Sequence, residues 1–178
     1  MNDAFLTELT KHFPQFAEKL LARSDADIGN VAAGASSLDL AELESRLGIQ
    51  LPESYKTLLR CGREFWLFGG SIQFSFQHPF FHDFQTYEAL TPQQKQVVKR
   101  KSGGAWPPPS QGMLCFAEFF MEADGDQVLF DVTKGMTNGE YPVMYYDHED
   151  HPPSVRKLAD DFVTFIDGFL DYEQWAIE

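Results

Sequence analysis

Between Leu38 and Gly62 the chain reads LDLAELESRLGIQLPESYKTLLRCG, and the punctuation of this stretch restricts the fold more than any other feature. Leu40, Leu43 and Leu47 recur at three and four residues, the spacing of one apolar helix face. Asp39 and Glu42 have the separation of a capping box at the start of that helix, and Gly48 suits its end. Pro52 fits the first turn of a second helix, where its missing N–H would have had no partner anyway. Tyr55, Leu58 and Leu59 form the buried side of this second helix, and Gly62 stops it. The stretch therefore predicts two short helices joined by an extended Ile49-Gln50-Leu51.

The period then changes. From Glu64 to Gln77 aromatic and β-branched residues take over, with Ile72, Phe74 and Phe76 two apart and Gly69-Gly70 before them, which predicts one or two strands. His78 to Phe84 reads as a loop, with His78 and His82 as surface or packing residues. Met113–Phe120 and Gln127–Val132 are apolar runs on either side of Asp124-Gly125, a dipeptide that favours a tight hairpin. Tyr141–Asp147 follows a loop holding Gly135 and Asn138-Gly139, completing a three-stranded meander. Pro142 cannot donate to a ladder and belongs at a strand start or an edge.

Helical spacing returns at both ends. Phe5, Leu9, Phe13, Phe16 and Leu20 share one face of an N-terminal helix that Pro14 kinks or breaks; the helix is expected to pack loosely, and VAAGASS (31–37) separates it from the rest. Thr91, Pro92 and Gln94 open a short helix running to Gly103, with Lys99, Arg100 and Lys101 at the negative end of its dipole. Val155, Leu158, Phe162, Phe165 and Phe169 predict a C-terminal helix capped by Ser154 and laid on the sheet.

The 178 residues suit one domain. Fourteen Lys and Arg against 27 Asp and Glu leave a net charge of −13, which repels phosphate backbones and anionic lipid surfaces. Direct binding to nucleic acid or membrane is disfavoured; a basic protein partner is not. Cys61 and Cys115 lack the spacing of a disulfide framework or a zinc site, so reduced core thiols are expected. With no basic, apolar leader at the N-terminus and no run of about 18 apolar residues, the expected location is the cytoplasm.

The stretch Ala123–His151 is rich in carboxylates and imidazoles, and it raises a choice between a metal centre and strands with solvated turns. The calcium-loop ladder of alternate oxygen ligands is absent, and Pro152-Pro153 directly after His151 prevents a two-histidine helix face. A metal-dependent hydrolase using Asp124, Asp126, Asp147, His148 and His151 is the rival reading, and a general regulatory scaffold with several weak partners is a third. Glu118, Glu122, Asp124 and Asp126 are the carboxylates available for acid–base work, but acidic turns are most simply solvated. No nucleophile elbow, phosphate-binding loop or dinucleotide fingerprint occurs. No catalytic residue, metal or cofactor is assigned.

Four pieces in order, LAELESRLGIQLPESYKTLLRCG, GGSIQF, GMLCFAEFFMEADGDQVLFDV with YPVMYYDHE, and LADDFVTFIDGFL, resemble the SUKH superfamily, which contains fungal Smi and Knr type cell-wall-assembly regulators and many bacterial immunity proteins. Many members carry Asn before the glycine ending the second helix and Trp in the last strand; here Cys61 and Tyr145 or Tyr146 stand instead. The resemblance implies an α+β fold, a central and mostly antiparallel sheet flanked by helices in a single domain, with residues 1–37 as a helix and linker packed on a domain spanning 38–178. It carries over no catalytic residues. It implies a non-enzymatic protein-binding module, in bacteria most often an immunity protein that neutralises a cognate toxin, and the net charge of −13 adds the expectation of a basic toxin such as a nuclease. The candidate partner-binding residues are Glu122, Asp124, Asp126, Tyr145, Tyr146, Asp147, His148, Glu149 and Asp150, with aromatics near Phe80 beside them. Their carboxylates and imidazoles are expected to project outward.

Overall fold

The computed structural model describes residues 3–24, 26–68, 72–75, 79–81, 91–93, 96, 112–119, 126–148 and 154–171. Among them are helices α1 (Asp3–His12), α2 (Pro14–Ala22), α3 (Ser37–Leu47), α4 (Glu53–Cys61) and α5 (Phe162–Gly168). The strands are β1 (Glu64–Leu67), β2 (Ile72–Ser75), β3 (Phe80–Phe81), β4 (Met113–Phe119), β5 (Asp126–Asp131), β6 (Val143–Asp147) and β7 (Ser154–Ala159). All seven belong to one antiparallel sheet in the order β1-β2-β4-β5-β6-β7, with β3 also paired to β4. The fold is α+β, as the resemblance implies.

The two central helices form where the leucine pattern places them, but their starts differ from expectation. The capping box of α3 is Ser36 with Asp39, not Asp39 with Glu42. Ser36 Oγ accepts from the Asp39 N–H at 3.2 Å, and the Asp39 carboxylate accepts from the Ser36 N–H at 2.8 Å. A hydroxyl one turn earlier satisfies the free N–H groups better than a second carboxylate inside the helix. Those Ser36 hydrogen bonds, with Arg63 adding its charge, hold the Asp39 carboxyl below its ordinary range. Gly48 ends α3 in the left-handed region at φ 69°, and Pro52 stands at the N-cap of α4, one position before the first helical residue. Between them the Leu51 N–H donates to Glu44 Oε1 at 2.8 Å, tying the extended connection back to α3.

Pro14 divides the N-terminal helix into α1 and α2, and the expected loose packing is not found. Phe5, Leu9, Phe13, Phe16 and Leu20 are all buried in the main core. Phe5 lies 5.0 Å from Phe65 between ring centres, Phe13 meets Phe162 edge-on at 6.2 Å, and Phe16 meets Phe169 at 6.1 Å. The following segment runs beside β1: Gly29 and Trp66 exchange backbone hydrogen bonds at 3.1 and 2.9 Å, and the Ala32 N–H donates to the Glu64 carbonyl at 2.8 Å. Gly34 passes so close to α4 that a Cβ there would sit 1.8 Å from the Arg60 carbonyl oxygen.

The meander forms as predicted from β4, β5 and β6, while the turn at Asp124-Gly125 lies outside the described residues. A bulge between Cys115 and Ala117 shifts the register of β4 against β5. It lets Leu114, Phe116 and Ala117 all join the main core beneath the helices, then returns Glu118 to the opposite face, where Gln127 Nε2 donates to its carboxylate at 2.9 Å. Without the extra residue, strict alternation would aim Glu118 at the helices. Phe116 and Phe130 stack at 4.1 Å, the Tyr55 ring of α4 contacts them at 5.4 and 5.3 Å, and Phe162 of α5 lies 5.3 Å from Tyr55. Glu140 joins the layers by polar contacts, accepting from Ser54 Oγ at 2.6 Å and from the Phe162 N–H at 3.3 Å.

Two further expectations are corrected. Phe80-Phe81, within the predicted loop, pairs with Cys115 and Leu114 as β3, since two adjacent aromatics suit a half-covered strand; His78 and His82 lie outside the described residues. The C-terminal segment is not one helix. Ser154 begins strand β7, which pairs along β6, and the helix starts only at Phe162, capped by Asp161 accepting from the Thr164 N–H at 2.7 Å. Pairing with β6 outweighs a helical spacing that Val155 and Leu158 match by coincidence. Of the helix predicted from Thr91, Pro92, Gln93 and Gln96 are helical, and the remainder lies outside the described residues.

Asp161→Ala should cost about 1 kcal/mol in urea denaturation, whereas Ser154→Ala should change stability by less than about 0.5 kcal/mol; equal effects would return Ser154 to the helix start. Gly34→Ala should cost roughly 1–3 kcal/mol by overpacking against backbone. Gly29→Ala, with open space around its Cβ position, is the control and should be nearly silent.

Candidate functional site

Asp126 opens β5, and the antiparallel pairing of Gln127 with Tyr146 and Val128 with Tyr145 sets it beside the end of β6. By strand alternation its side chain shares a face with Val128 and Phe130. It is 4% exposed, yet both of its carboxylate oxygens are hydrogen-bonded. The Tyr145 hydroxyl donates to Oδ2; Oδ1 accepts the His148 N–H at 2.9 Å and meets His148 Nδ1 at 2.8 Å. A buried carboxylate is tolerable because these hydrogen bonds replace its water.

Tyr145 is 5% exposed, with the Arg156 guanidinium 5.0 Å above its ring from the neighbouring strand. Burial, then the hydrogen bond and charge of Asp126, push its phenol well above the ordinary value, with Asp147 adding and Arg156 opposing. Tyr146 points to the other face, packing on Met113, Cys115 and Leu129, and burial followed by the charges of Asp126 and Asp147 raises its phenol too. Tyr146, Asp147 and His148 are partly exposed.

Five of the predicted site residues are thus brought together at one end of the β5–β6 pair: Asp126, Tyr145, Tyr146, Asp147 and His148. Glu122, Asp124, Glu149, Asp150 and the rival reading's His151 lie outside the described residues. Not all of the five face outward. Asp126 and Tyr145 lie beneath the surface as a brace, and Tyr146, Asp147 and His148 reach it. The bond between Asp126 and His148, 22 residues apart, was missed by the sequence reading, although a strand beginning in Asp opposite a strand ending in Asp-His was its available signal.

For the hydrolase reading, both Asp126 oxygens are already engaged by Tyr145 and His148. Among the described residues no group of three or more His, Cys, Asp or Glu side chains is arranged to hold a metal. Burial raises the Cys61 thiol to about 11 and the Cys115 thiol well above its ordinary value, the opposite of an activated nucleophile. No described helix is long and apolar enough to cross a membrane.

The model of the SMI1 / KNR4 family (SUKH-1) matches residues 34–168, three-quarters of the chain. The chain belongs to the SMI1 / KNR4 family. The SUKH-1 match begins at Gly34, where the backbone crosses α4, and ends at Gly168, the last residue of α5. No curated protein matches the chain. The SUKH-1 family includes toxin immunity proteins, and its members are generally non-catalytic immunity or regulatory proteins.

The phenols give a pH test. Tyr55 is buried among the core rings and, like Tyr145, is held neutral well above the ordinary pKa of about 10. The folded state therefore keeps these protons more tightly than the unfolded chain. Stability from this source is complete below pH 10 and declines as pH rises above it. In a spectrophotometric titration, part of the tyrosinate absorbance of the six tyrosines should appear only together with loss of far-UV circular dichroism; six phenols titrating freely near 10 in folded protein would contradict both burials.

Proposed function

We propose that this SUKH-1 protein is a non-enzymatic protein-binding module that acts in the cytoplasm as the immunity protein of a cognate toxin. The observation that carries the reading, beside the family, is the braced end of β5 and β6. Asp126 fixes Tyr145 and His148 from below, so that Tyr146, Asp147 and His148 can offer a pre-ordered, acceptor-rich surface. Ordered anchors lower the entropy lost on docking. Glu122, Asp124, Glu149 and Asp150 flank this end in the sequence and extend the same proposal. Residues 1–37 are taken as an N-terminal addition on a domain spanning 38–178.

The net charge of −13 favours a basic toxin, a nuclease being one class that would fit. Long-range attraction would speed encounter, and short-range contacts would set the lifetime of the complex. Co-expression with the product of the neighbouring reading frame should relieve its toxicity and give a stable complex. Raising salt from about 0.05 to 0.5 M should slow association roughly tenfold and alter dissociation much less. Absence of both complex and relief would end the immunity reading. For the hydrolase reading, stoichiometric metal by elemental analysis, with an activity lost on chelation, would be the required result.

A further inference from the structure

Asp126 does more than fill a buried position. It is a carboxylate at 4% exposure that receives the Tyr145 hydroxyl on one oxygen and, on the other, both the backbone N–H and the ring Nδ1 of a single residue, His148. A carboxylate only accepts, so a hydrogen bond to Nδ1 requires the proton to sit on that nitrogen. The backbone bond fixes where the residue stands, and the ring bond fixes how the imidazole is turned. Nε2, across the ring from Nδ1, is left with its lone pair in the neutral form, and it has no partner among the described residues. The His148 side chain is 32% exposed, so this nitrogen belongs to a ring that solvent or a partner can reach.

We infer that Asp126 is a positioning residue that locks His148 in the Nδ1–H tautomer, making Nε2 a directed acceptor for a lysine or arginine side chain of the partner. The inference rests on the partner-binding reading and deepens it. The charge around the ring supports a cationic donor: Asp126 stands behind it and Asp147 precedes it in the chain, while Arg156 of the neighbouring strand lies against the ring of Tyr145. The arrangement is the orienting half of a carboxylate–histidine pair, in which a second group determines which nitrogen is offered. Here it would serve recognition. An unoriented histidine would present either nitrogen, as donor or acceptor, and would discriminate poorly.

The test has two independent arms on the full-length chain. At mildly alkaline pH, long-range ¹H–¹⁵N correlations of the imidazole should show His148 with a protonated Nδ1 and a bare Nε2. Asp126→Ala should convert it to a mixture, with Asp126→Leu, close in size and without an acceptor, as the second variant if the first does not fold. In the other arm, with the product of the neighbouring reading frame as the probe, His148→Ala should weaken binding at least tenfold under conditions where its far-UV circular dichroism shows it fully folded, its melting temperature falling because the buried Asp126 loses a donor. Asp126→Ala should weaken it comparably, and in the His148→Ala background it should cause no further loss, because the two act as one unit. A proton on Nε2 in the wild-type protein overturns the positioning role. Wild-type affinity within twofold for His148→Ala overturns the recognition role. If the wild-type protein forms no complex, the immunity reading falls and the recognition role with it, while the imidazole spectrum still decides the positioning.

Discussion

The contact on which the rest of the molecule depends is the stack of Phe116 on Phe130 at 4.1 Å, made across two neighbouring strands and roofed by Tyr55 and Phe162. It is the point where the sheet, the α3–α4 pair and the closing helix meet. Each of these rings buries on the order of 200 Å² of surface, and edge-to-face or offset pairs add roughly 0.5–1.5 kcal/mol beyond that burial. The β4 bulge exists in service of this junction. It allows three residues of a four-residue run, Leu114, Phe116 and Ala117, to face the helices while Glu118 is turned away. Glu140 adds a polar clamp at the junction's edge, joining α4, the turn before β6 and the start of α5 through one carboxylate.

From that fixed centre the two strands β5 and β6 run out to the candidate site, where the same alternation that feeds Val128 and Phe130 into the core also turns Asp126 inward. The site is therefore a continuation of the core in a polar register. Between Phe130 and Asp126, four residues apart on one strand face, aromatic packing gives way to a carboxylate holding a phenol and an imidazole. Rigidity at the site follows from the strands that carry it, which is how a surface of modest size can keep its anchors ordered.

Much of this was legible in the chain. Leucine spacing gave α3 and α4, and period-two runs with turn residues between them gave β1, β2 and the meander, because both signals are local. The misreadings share a cause. Val155 and Leu158 continue the helical spacing of Phe162 and Phe165, and only the open edge of β6, a non-local fact, recruits them into β7. Ser36, not Asp39, caps α3 because capping depends on where the helix actually begins, and single-sequence patterns place that boundary poorly. At the site, residue types were readable while their directions were not: which of five clustered polar and aromatic side chains turns inward depends on strand phase, and Asp126 looks no different from a solvated turn residue in the sequence.

The stretch from Gly29 to Ala33 lies along the outer margin of β1, using its own amides and carbonyls to occupy positions that an extended foreign segment would otherwise take. Over this span the chain shields itself against fibril-like growth, and it does so with backbone rather than with the charged side chains or prolines that often guard such borders. The close passage of Gly34 over the Arg60 carbonyl holds that shield in register. A residue with no side chain at all thus helps to keep a strongly aromatic sheet from propagating into its neighbours.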